Sequence, residues 1–266
     1  MPERAIGVFD SGVGGLTVLR ELQRCLPDES LVYLGDTARV PYGTKSAPTV
    51  SGYARQAADF LLTQNVKLLV VACNTASAVA LEELEQRCQR PVIGVIEPGA
   101  RRAVEVSKNG CVGVIGTDGT VRSGAYERAL KSIRADVVVH TAACPLFVPL
   151  AEEGWAEHEI AHLAAREYLK PLLAKGIDTL VLGCTHYPLL KKTLQQVVGA
   201  EVRLVDSAEE TARMVAARLG VEQSLRPAGN VASSRYFVTD IPDRFKRVGG
   251  AFLGAPLDEV ATVKLG

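Results

Sequence analysis

Short apolar runs alternate with longer stretches of helical spacing along most of the chain, and this alternation restricts the folds open to it. The runs that predict buried strands are residues 5–9, 31–34, 68–72, 92–95, 112–115, 136–140, 179–182 and 202–205. The stretches that predict helices are residues 17–25, 50–62, 77–88, 124–133 and 159–173. Such a series is typical of parallel sheets covered by helices on both faces, with ligands bound beyond the carboxyl ends of the strands.

The composition narrows the class of protein and its partners. The chain has 266 residues, of which 47% are hydrophobic and 23% charged, enough for one large domain or two small ones, each with a core. Its formal net charge is zero and it has no block of like charges. We therefore expect neither nucleic acid nor a membrane surface as a partner, and a small molecule or a protein instead.

The start of the chain and its cysteines predict a cytoplasmic protein. Asp10 interrupts the first apolar run too early for a signal peptide, and no later run approaches the roughly 20 residues of a membrane span. The six cysteines lack the spacing of a disulfide framework, which indicates free thiols.

Two strand-like segments look like copies of each other, and each ends in a cysteine. Residues 68–75 read LLVVACNT and residues 179–186 read TLVLGCTH, so Cys73 and Cys184 lie 111 residues apart. Residues 7–12 and residues 113–118 are also similar, although more weakly, at an offset of 106. We therefore predict two similar α/β lobes whose strand-end cysteines face one cleft.

The lobe boundaries follow from the same repeat. A turn signal at Glu97-Pro98-Gly99 predicts the end of the first lobe, and the strands of the second lobe end by residue 206. We predict that residues 1–97 together with residues 207–266 form the first lobe, and that residues 98–206 form the second.

Two thiols on opposite sides of one atom suit the removal and return of a proton at a stereocentre. In such a two-base racemase, one cysteine acts as a thiolate base while the other supplies a proton to the opposite face. The ordinary thiol pKa of about 8.5 can be lowered by helix N-termini and by charged neighbours. Without an electron-sink cofactor, backbone donors in a pocket closed to water must stabilise the charge on the substrate carboxylate.

Two loops can supply such backbone donors. Residues 10–17 read DSGVGGLT between a strand and a helix, a place where amide groups bind anions. The loop is a poor dinucleotide motif, because Thr17 occupies the third glycine position, but a substrate carboxylate suits it. Pro41-Tyr42-Gly43 offers a second turn of this kind, or is an ordinary loop.

A short histidine motif resembles a zinc site. His158 and His162, with Glu159 between them, match the helix motif of zinc proteases. No third ligand follows in the expected register, since Glu167 lies only five residues on. We therefore predict no metal.

Five motifs in order resemble those of the glutamate racemases, which belong to the cofactor-independent aspartate/glutamate racemase family. They are residues 10–15 (DSGVGG), 41–43 (PYG), 72–76 (ACNTA), 144–149 (CPLFVP) with Glu152, and 183–188 (GCTHYP). The resemblance implies two flavodoxin-like lobes with the active site between them. It also implies interconversion of L- and D-glutamate without a cofactor, and supply of D-glutamate for bacterial peptidoglycan.

The resemblance also implies roles for individual residues. Cys73 would remove the proton from D-glutamate and Cys184 the proton from L-glutamate, each acting as the acid when the other is the base. Asp10 would assist Cys73, whereas Glu152 and His186 would assist Cys184. Only the spacing of the motif selects Glu152 over its neighbour Glu153. The residues implied to hold the substrate are Asp10, Ser11, Tyr42, Gly43, Asn74, Thr75, Thr185 and His186.

Other functions and partners stay open at this point. Aspartate differs from glutamate by one methylene, so it is the alternative substrate. A cysteine hydrolase would use Cys184 with His186 and leave Cys73 unexplained, and a two-lobed amino-acid binding protein would need no thiols. By analogy with the family, the protein partners to consider are a second copy of the chain, as a homodimer, and DNA gyrase, which some family members are reported to inhibit.

Overall fold

The computed structural model describes residues 2–266 and contains two parallel sheets. The six strands of the first sheet are β1 (Ile6–Asp10), β2 (Leu31–Gly35), β3 (Leu68–Val71), β4 (Val92–Gly94), β9 (Ser234–Val238) and β10 (Val260–Thr262). The four strands of the second sheet are β5 (Cys111–Gly116), β6 (Val138–Ala143), β7 (Thr179–Gly183) and β8 (Arg203–Asp206). The predicted α/β class with parallel sheets is confirmed.

Helices connect the strands, as the alternating pattern predicts. They are α1 (Leu16–Cys25), α2 (Ala47–Thr63), α3 (Asn74–Arg87), α4 (Ile96–Val106), α5 (Asp118–Ser123), α6 (Ala125–Ile133), α7 (Phe147–Glu152), α8 (Glu159–Leu173), α9 (Lys191–Val198), α10 (Ser207–Val221) and α11 (Pro242–Leu253). Two short 3₁₀ helices, Tyr42–Thr44 and Tyr187–Leu190, follow the second strand of the first sheet and the cysteine strand of the second. In the described part of the chain, no helix has the length and apolar character needed to cross a bilayer.

The two sheets repeat one strand order in one register. The order β2-β1-β3-β4 in the first sheet corresponds to β6-β5-β7-β8 in the second. Gly7 pairs with Leu69 in the first sheet, and Gly113 pairs with Leu180 in the second. The sequence offsets of 106 and 111 thus join structurally equivalent positions. As a result, Cys73 lies just beyond the carboxyl end of β3, and Cys184 lies just beyond the carboxyl end of the equivalent strand β7.

The C-terminal segment completes the first sheet. Strand β9 pairs with β2, and β10 pairs with β9, so the two strands extend the sheet beyond β2 and β10 forms its edge. Neither strand was predicted, because their side chains are only partly buried and form no continuous apolar run. The division into lobes at residues 97 and 207 stays a prediction.

The turn predicted at Glu97-Pro98-Gly99 is wrong, since all three residues belong to α4. Pro98 lies in the first turn, where its missing N–H has no partner to lose. Gly99 has a packing role, because a Cβ there would lie 3.2 Å from the Cβ of Ser207 at the start of α10.

One apolar core joins the two lobes. It contains Leu16 of α1 and Val70 of β3 together with Leu182 of β7 and Leu169 of α8. Two smaller clusters lie on the other faces, one packed on each sheet. Because the shared core fixes both sheets, their carboxyl ends are held at a defined separation.

A buried ion pair attaches the C-terminal segment to the first sheet. Lys67 Nζ lies 2.7 Å from Glu29 Oε2, with both side chains no more than 3% exposed. Lys67 also donates to the carbonyl of Ser224 (2.7 Å), and Glu29 accepts from the amide of Arg226 (2.8 Å). The additional backbone partners compensate for the cost of burying the two charges.

Two helical glycines should respond in opposite directions to alanine. At Gly52 in α2, an added Cβ comes no closer than 3.7 Å to Arg55, so Gly52→Ala should raise the free energy of unfolding by about 0.5–1 kcal/mol. At Gly249 in α11, an added Cβ would lie 2.7 Å from Leu257 and 2.8 Å from Leu16, so Gly249→Ala should lower the free energy of unfolding by about 1–3 kcal/mol. Urea denaturation measures both changes, and shifts of the same sign would contradict this account.

Candidate active site

Each candidate thiol lies where a strand opens onto a helix. Cys73 follows β3 and is the residue before α3, and Cys184 follows β7 and precedes the 3₁₀ helix Tyr187–Leu190. Both are buried, with exposed fractions of 5% and 6%. Electrostatic interaction with Cys184 contributes, after burial and Asp10, to the raised pKa of Cys73, so the two thiols lie near each other at the cleft between the carboxyl ends of the sheets.

The glycine-rich loop after β1 packs directly on the Cys184 loop. A Cβ at Gly14 would collide with Thr185 Oγ1 and lie 2.5 Å from His186 Nδ1, so only glycine fits there. Thr17 Oγ1 donates to the carbonyls of Gly14 (2.9 Å) and Thr185 (3.0 Å). Thr17, which stands where a dinucleotide motif has its third glycine, therefore forms a hydrogen bond between the lobes.

A second contact joins the lobes on the Cys73 side. Thr75 and Thr117 hydroxyls are 2.9 Å apart, and a Cβ at Gly43 would lie 2.6 Å from the Cβ of Thr117. Sequence reasoning missed Thr117. The internal repeat could have found it, because at the offset of 106 it occupies the place of Ser11.

Cys184 lies at one end of a chain of polar groups. Its sulfur is 3.9 Å from His186 Nδ1, and His186 Nε2 is 3.0 Å from Glu152 Oε1. Arg244 Nη2 is 3.0 Å from the other carboxylate oxygen of Glu152. The neighbouring Glu153 is exposed at the end of α7, whereas Glu152 is only partly exposed and contacts His186. Arg244 was not predicted.

The His186 imidazole carries a positive charge at neutral pH. Burial alone lowers its pKa, but the hydrogen bonds with Cys184 and Glu152 outweigh burial and raise the pKa to about 10. The hydrogen bond between His186 and Glu152 also lowers the pKa of the Glu152 carboxyl. An imidazolium beside the Cys184 sulfur stabilises a thiolate there.

Cys73 has the opposite surroundings. Burial, followed by the negative charge of Asp10, raises the pKa of the Cys73 thiol to about 12. Its sulfur is 3.7 Å from the Ser11 hydroxyl. Asp10 is itself fully buried, which raises its pKa, and Oδ2 accepts from the amide of Gly12 at 2.9 Å. The two cysteines therefore have different neighbours, a buried carboxyl beside Cys73 and an imidazole beside Cys184, and the surroundings of Cys73 favour its thiol form.

Two buried polar atoms in the cleft have no hydrogen-bond partner among residues 2–266. They are Asp10 Oδ1 and Asn74 Nδ2. Asn74 Oδ1 accepts from the Tyr126 hydroxyl at 2.7 Å, which fixes the amide group. An acceptor beside one cysteine and a donor at the start of α3 suit the ammonium and carboxylate groups of an amino acid.

The other candidate substrate ligands lie around the same cleft. Ser11 lies beside Cys73, and Thr75 and Thr185 each take part in a contact between the lobes. The Tyr42 hydroxyl donates to Asp36, so a role for Tyr42 in binding substrate rests on its backbone. Gly43 lies in the same 3₁₀ turn.

The zinc-like motif has a structural role. His158 caps α8, with Nδ1 accepting from the amide of Ile160 at 3.2 Å, and its ring stacks on Trp155. Over residues 2–266, no three His, Cys, Asp or Glu side chains come together in a group suited to a metal ion.

Comparison with known proteins assigns a family. Residues 6–215 match the Asp/Glu/Hydantoin racemase family. The chain belongs to this family. A family relative, the glutamate racemase of Geobacter metallireducens, is 60% identical over 265 residues, which cover 100% of this chain and 98% of that protein.

Solved structures of the family agree with this assignment. A glutamate racemase of Bacillus anthracis superposes with a TM-score of 0.96 at 41% identity, covering 100% of this chain and 99% of that one. The Francisella tularensis glutamate racemase in complex with D-glutamate has a TM-score of 0.93 at 38% identity, with the same coverage. Two lobes that face each other across a cleft are therefore the established architecture of this chain.

The unequal surroundings of the two cysteines should appear in their reactivity. Near neutral pH, iodoacetamide should alkylate Cys184 before Cys73, because His186 stabilises the Cys184 thiolate whereas burial and Asp10 disfavour a thiolate at Cys73. The preference should decline as the pH rises through about 10, where His186 loses its proton. Mass spectrometry of the labelled peptides measures the order.

Two controls accompany the labelling experiment. Glu152→Gln should lower the pKa of His186 and move the loss of preference to lower pH, since the carboxylate raises that pKa. Cys144 is buried with its pKa raised, so it should stay unlabelled in the folded protein. Labelling of Cys73 first, or of both cysteines at one rate, would contradict the charge assignment.

Proposed function

We propose that the chain is a glutamate racemase that interconverts L- and D-glutamate by exchanging the α-proton between Cys73 and Cys184, without a cofactor. The observation that carries the proposal is the pair of buried thiols at equivalent strand ends of two facing lobes. Relatives at 50–60% identity over nearly their whole length are glutamate racemases, which supports glutamate rather than aspartate as the substrate.

In the L-to-D direction, Cys184 is the base. Its thiolate, stabilised by the imidazolium of His186, removes the α-proton of L-glutamate. Cys73 supplies a proton to the opposite face, which suits a thiol whose pKa is raised by burial and by Asp10. The product is D-glutamate, with Cys184 as a thiol and Cys73 as a thiolate.

In the D-to-L direction, the roles reverse. Cys73 must then become the base, and Asp10 is the neighbouring group that can bind the substrate ammonium and assist. When Cys184 gives its proton to the substrate it becomes a thiolate, which the imidazolium of His186, held by the Glu152 carboxylate, stabilises. Two thiols and their different neighbours account for both half-reactions.

Backbone and side-chain donors stabilise the carbanion. The α-carboxylate takes up negative charge as the proton leaves, so donors aimed at it lower the barrier. The first amides of α3, at Asn74 and Thr75, and those after β7, at Thr185 and His186, lie at the cleft, and the free Nδ2 of Asn74 adds a donor. Burial excludes water and strengthens each of these interactions.

The remaining parts of the proposal concern location and partners. Free cysteines throughout the described chain fit a reducing cytoplasm, where D-glutamate would be made for peptidoglycan. A second copy of the chain and DNA gyrase stay predicted protein partners that only the family resemblance supports. A cysteine hydrolase built on Cys184 and His186 would leave the burial of Cys73 beside Asp10 without a function.

Solvent isotope exchange tests the reaction. With L-glutamate in deuterated water and no added pyridoxal phosphate, flavin, ATP or metal, optical rotation should fall to zero and the product should carry deuterium at the α-carbon. At early times, deuterium should be present in D-glutamate but not in the recovered L-glutamate, because each cysteine serves one face. NMR and chiral chromatography measure both.

The same experiment with aspartate tests the substrate. Turnover of aspartate at a rate equal to that of glutamate would contradict the proposed specificity, and a requirement for any added cofactor would contradict the two-thiol mechanism. Deuterium in both enantiomers from the first turnover would indicate one base rather than two.

Removing either thiol should abolish the reaction. Cys73→Ala and Cys184→Ala should each lower kcat by at least about 10³-fold while the circular dichroism spectrum is kept, because each proton transfer needs its own group. Cys25→Ala is the control, since Cys25 is exposed at the end of α1, and it should keep full activity. Near-normal turnover by either active-site variant would contradict the assignment.

A further inference from the structure

The C-terminal helix α11 places a charged group on the Cys184 side of the site. Arg244 Nη2 is 3.0 Å from Glu152 Oε2, while Glu152 Oε1 is 3.0 Å from His186 Nε2. His186 Nδ1 in turn is 3.9 Å from Cys184 Sγ. Each oxygen of the one carboxylate therefore has its own cationic partner, and the chain of contacts runs from the surface to the buried thiol.

The contact joins the two lobes. Glu152 ends α7, which follows the second sheet, whereas Arg244 lies in the first turns of α11, between β9 and β10 of the first sheet. Phe252, on the same helix, packs edge-on against the His186 ring with centroids 5.1 Å apart. Helix α11 thus contacts both the histidine and its carboxylate from the opposite lobe.

The surroundings of the ion pair are largely apolar. Glu152 and Arg244 line a cavity of about 50 Å³ whose walls include Val13, Val40, Phe245 and Val248, with Asp240 as a further acidic group. Glu152 is 18% exposed in its side chain and Arg244 is 54% exposed, so water screens the pair in part. We expect a moderate effect rather than the complete loss that follows removal of a thiol.

We propose that Arg244 is a positioning residue for the proton transfer at Cys184: from the opposite lobe it fixes the Glu152 carboxylate, which holds the His186 imidazolium against the sulfur. The inference rests on the proposed racemisation. Arg244 touches neither thiol. It acts through Glu152, and through Glu152 on His186.

The charges around Glu152 determine the expected pH dependence. His186 lowers the pKa of the Glu152 carboxyl most, burial opposes it, and the positive charge of Arg244 lowers it further. Asp240, in the wall of the same cavity, and Asp10, which acts on His186, are the nearby acidic groups. Loss of Arg244 should therefore raise the pKa of Glu152, and activity should be lost at a higher pH as the solution is acidified.

The test uses three variants of the full chain. Arg244→Gln should lower kcat for L-glutamate by about 3- to 10-fold, below the roughly 10²–10⁴-fold contribution of a whole acid–base group. It should also shift the acid limb of the kcat/KM profile to higher pH. Arg244→Lys should restore most of kcat and return the acid limb to its original pH, because lysine keeps the positive charge. Arg247→Gln, exposed on the same helix, should match the unmodified protein.

Two further measurements separate positioning from a structural role. On a Glu152→Gln background, Arg244→Gln should cause no additional loss, because its effect passes through that carboxylate. The isotope effect for α-deuterated L-glutamate, whose proton Cys184 removes, should rise in Arg244→Gln, while that for α-deuterated D-glutamate should not. A merely destabilised fold would change neither pattern in this way.

Three outcomes overturn the inference while racemisation by the unmodified protein stands. They are an unchanged pH profile in Arg244→Gln, losses that add fully to those of Glu152→Gln, and failure of Arg244→Lys to restore activity. Failure of the unmodified protein to racemise glutamate would instead overturn the proposed function itself.

Discussion

The close approach of the two strand-end loops is the contact on which the site depends. Gly14 has no side chain, so the loop after β1 lies directly against Thr185 and His186 of the other lobe. The hydrogen bond from Thr17 to the Thr185 carbonyl stabilises the contact between the two loops. A side chain at position 14 would separate the loops and with them the two thiols. Chemistry on both faces of one carbon requires a fixed separation, which the shared apolar core and this contact together provide.

Equivalent scaffolds in the two lobes carry different charges. The strands β1 and β5 occupy the same place in their sheets, yet Asp10 ends the first where Gly116 ends the second. Asp10 therefore raises the pKa of Cys73, whereas His186 forms its hydrogen bond with Cys184. The repeat positions the thiols, and the departures from the repeat give each thiol different charged neighbours. Cysteine suits this arrangement because its charge state follows its neighbours closely.

The sequence predicts the elements whose signal is local. Continuous apolar runs identified the strands β1 to β8, and the repeat located both cysteines. The strands β9 and β10 were missed because most of their side chains are only partly buried, and α4 was missed because Pro and Gly are also turn signals. Arg244 gives no local signal at all. Its partner Glu152 lies 92 residues away, and only the folded C-terminal segment brings the two together.

The charge asymmetry between the cysteines has a thermodynamic limit. Enantiomers have equal free energies in water, so the ratio of kcat/KM in the two directions must equal one, whatever the protein does to either thiol. Asp10, His186 and Glu152 can therefore raise or lower kcat/KM only for both directions together, although they can divide each direction differently between binding and turnover. The form that is ready for L-glutamate has a thiolate beside the His186 imidazolium and a thiol at Cys73, whose pKa is raised by burial and by Asp10. Release of D-glutamate leaves the other form, and the return to the form ready for L-glutamate requires a proton to pass from Cys184 to Cys73. The partners of Cys184 act on that return step, because they stabilise the same thiolate that it regenerates.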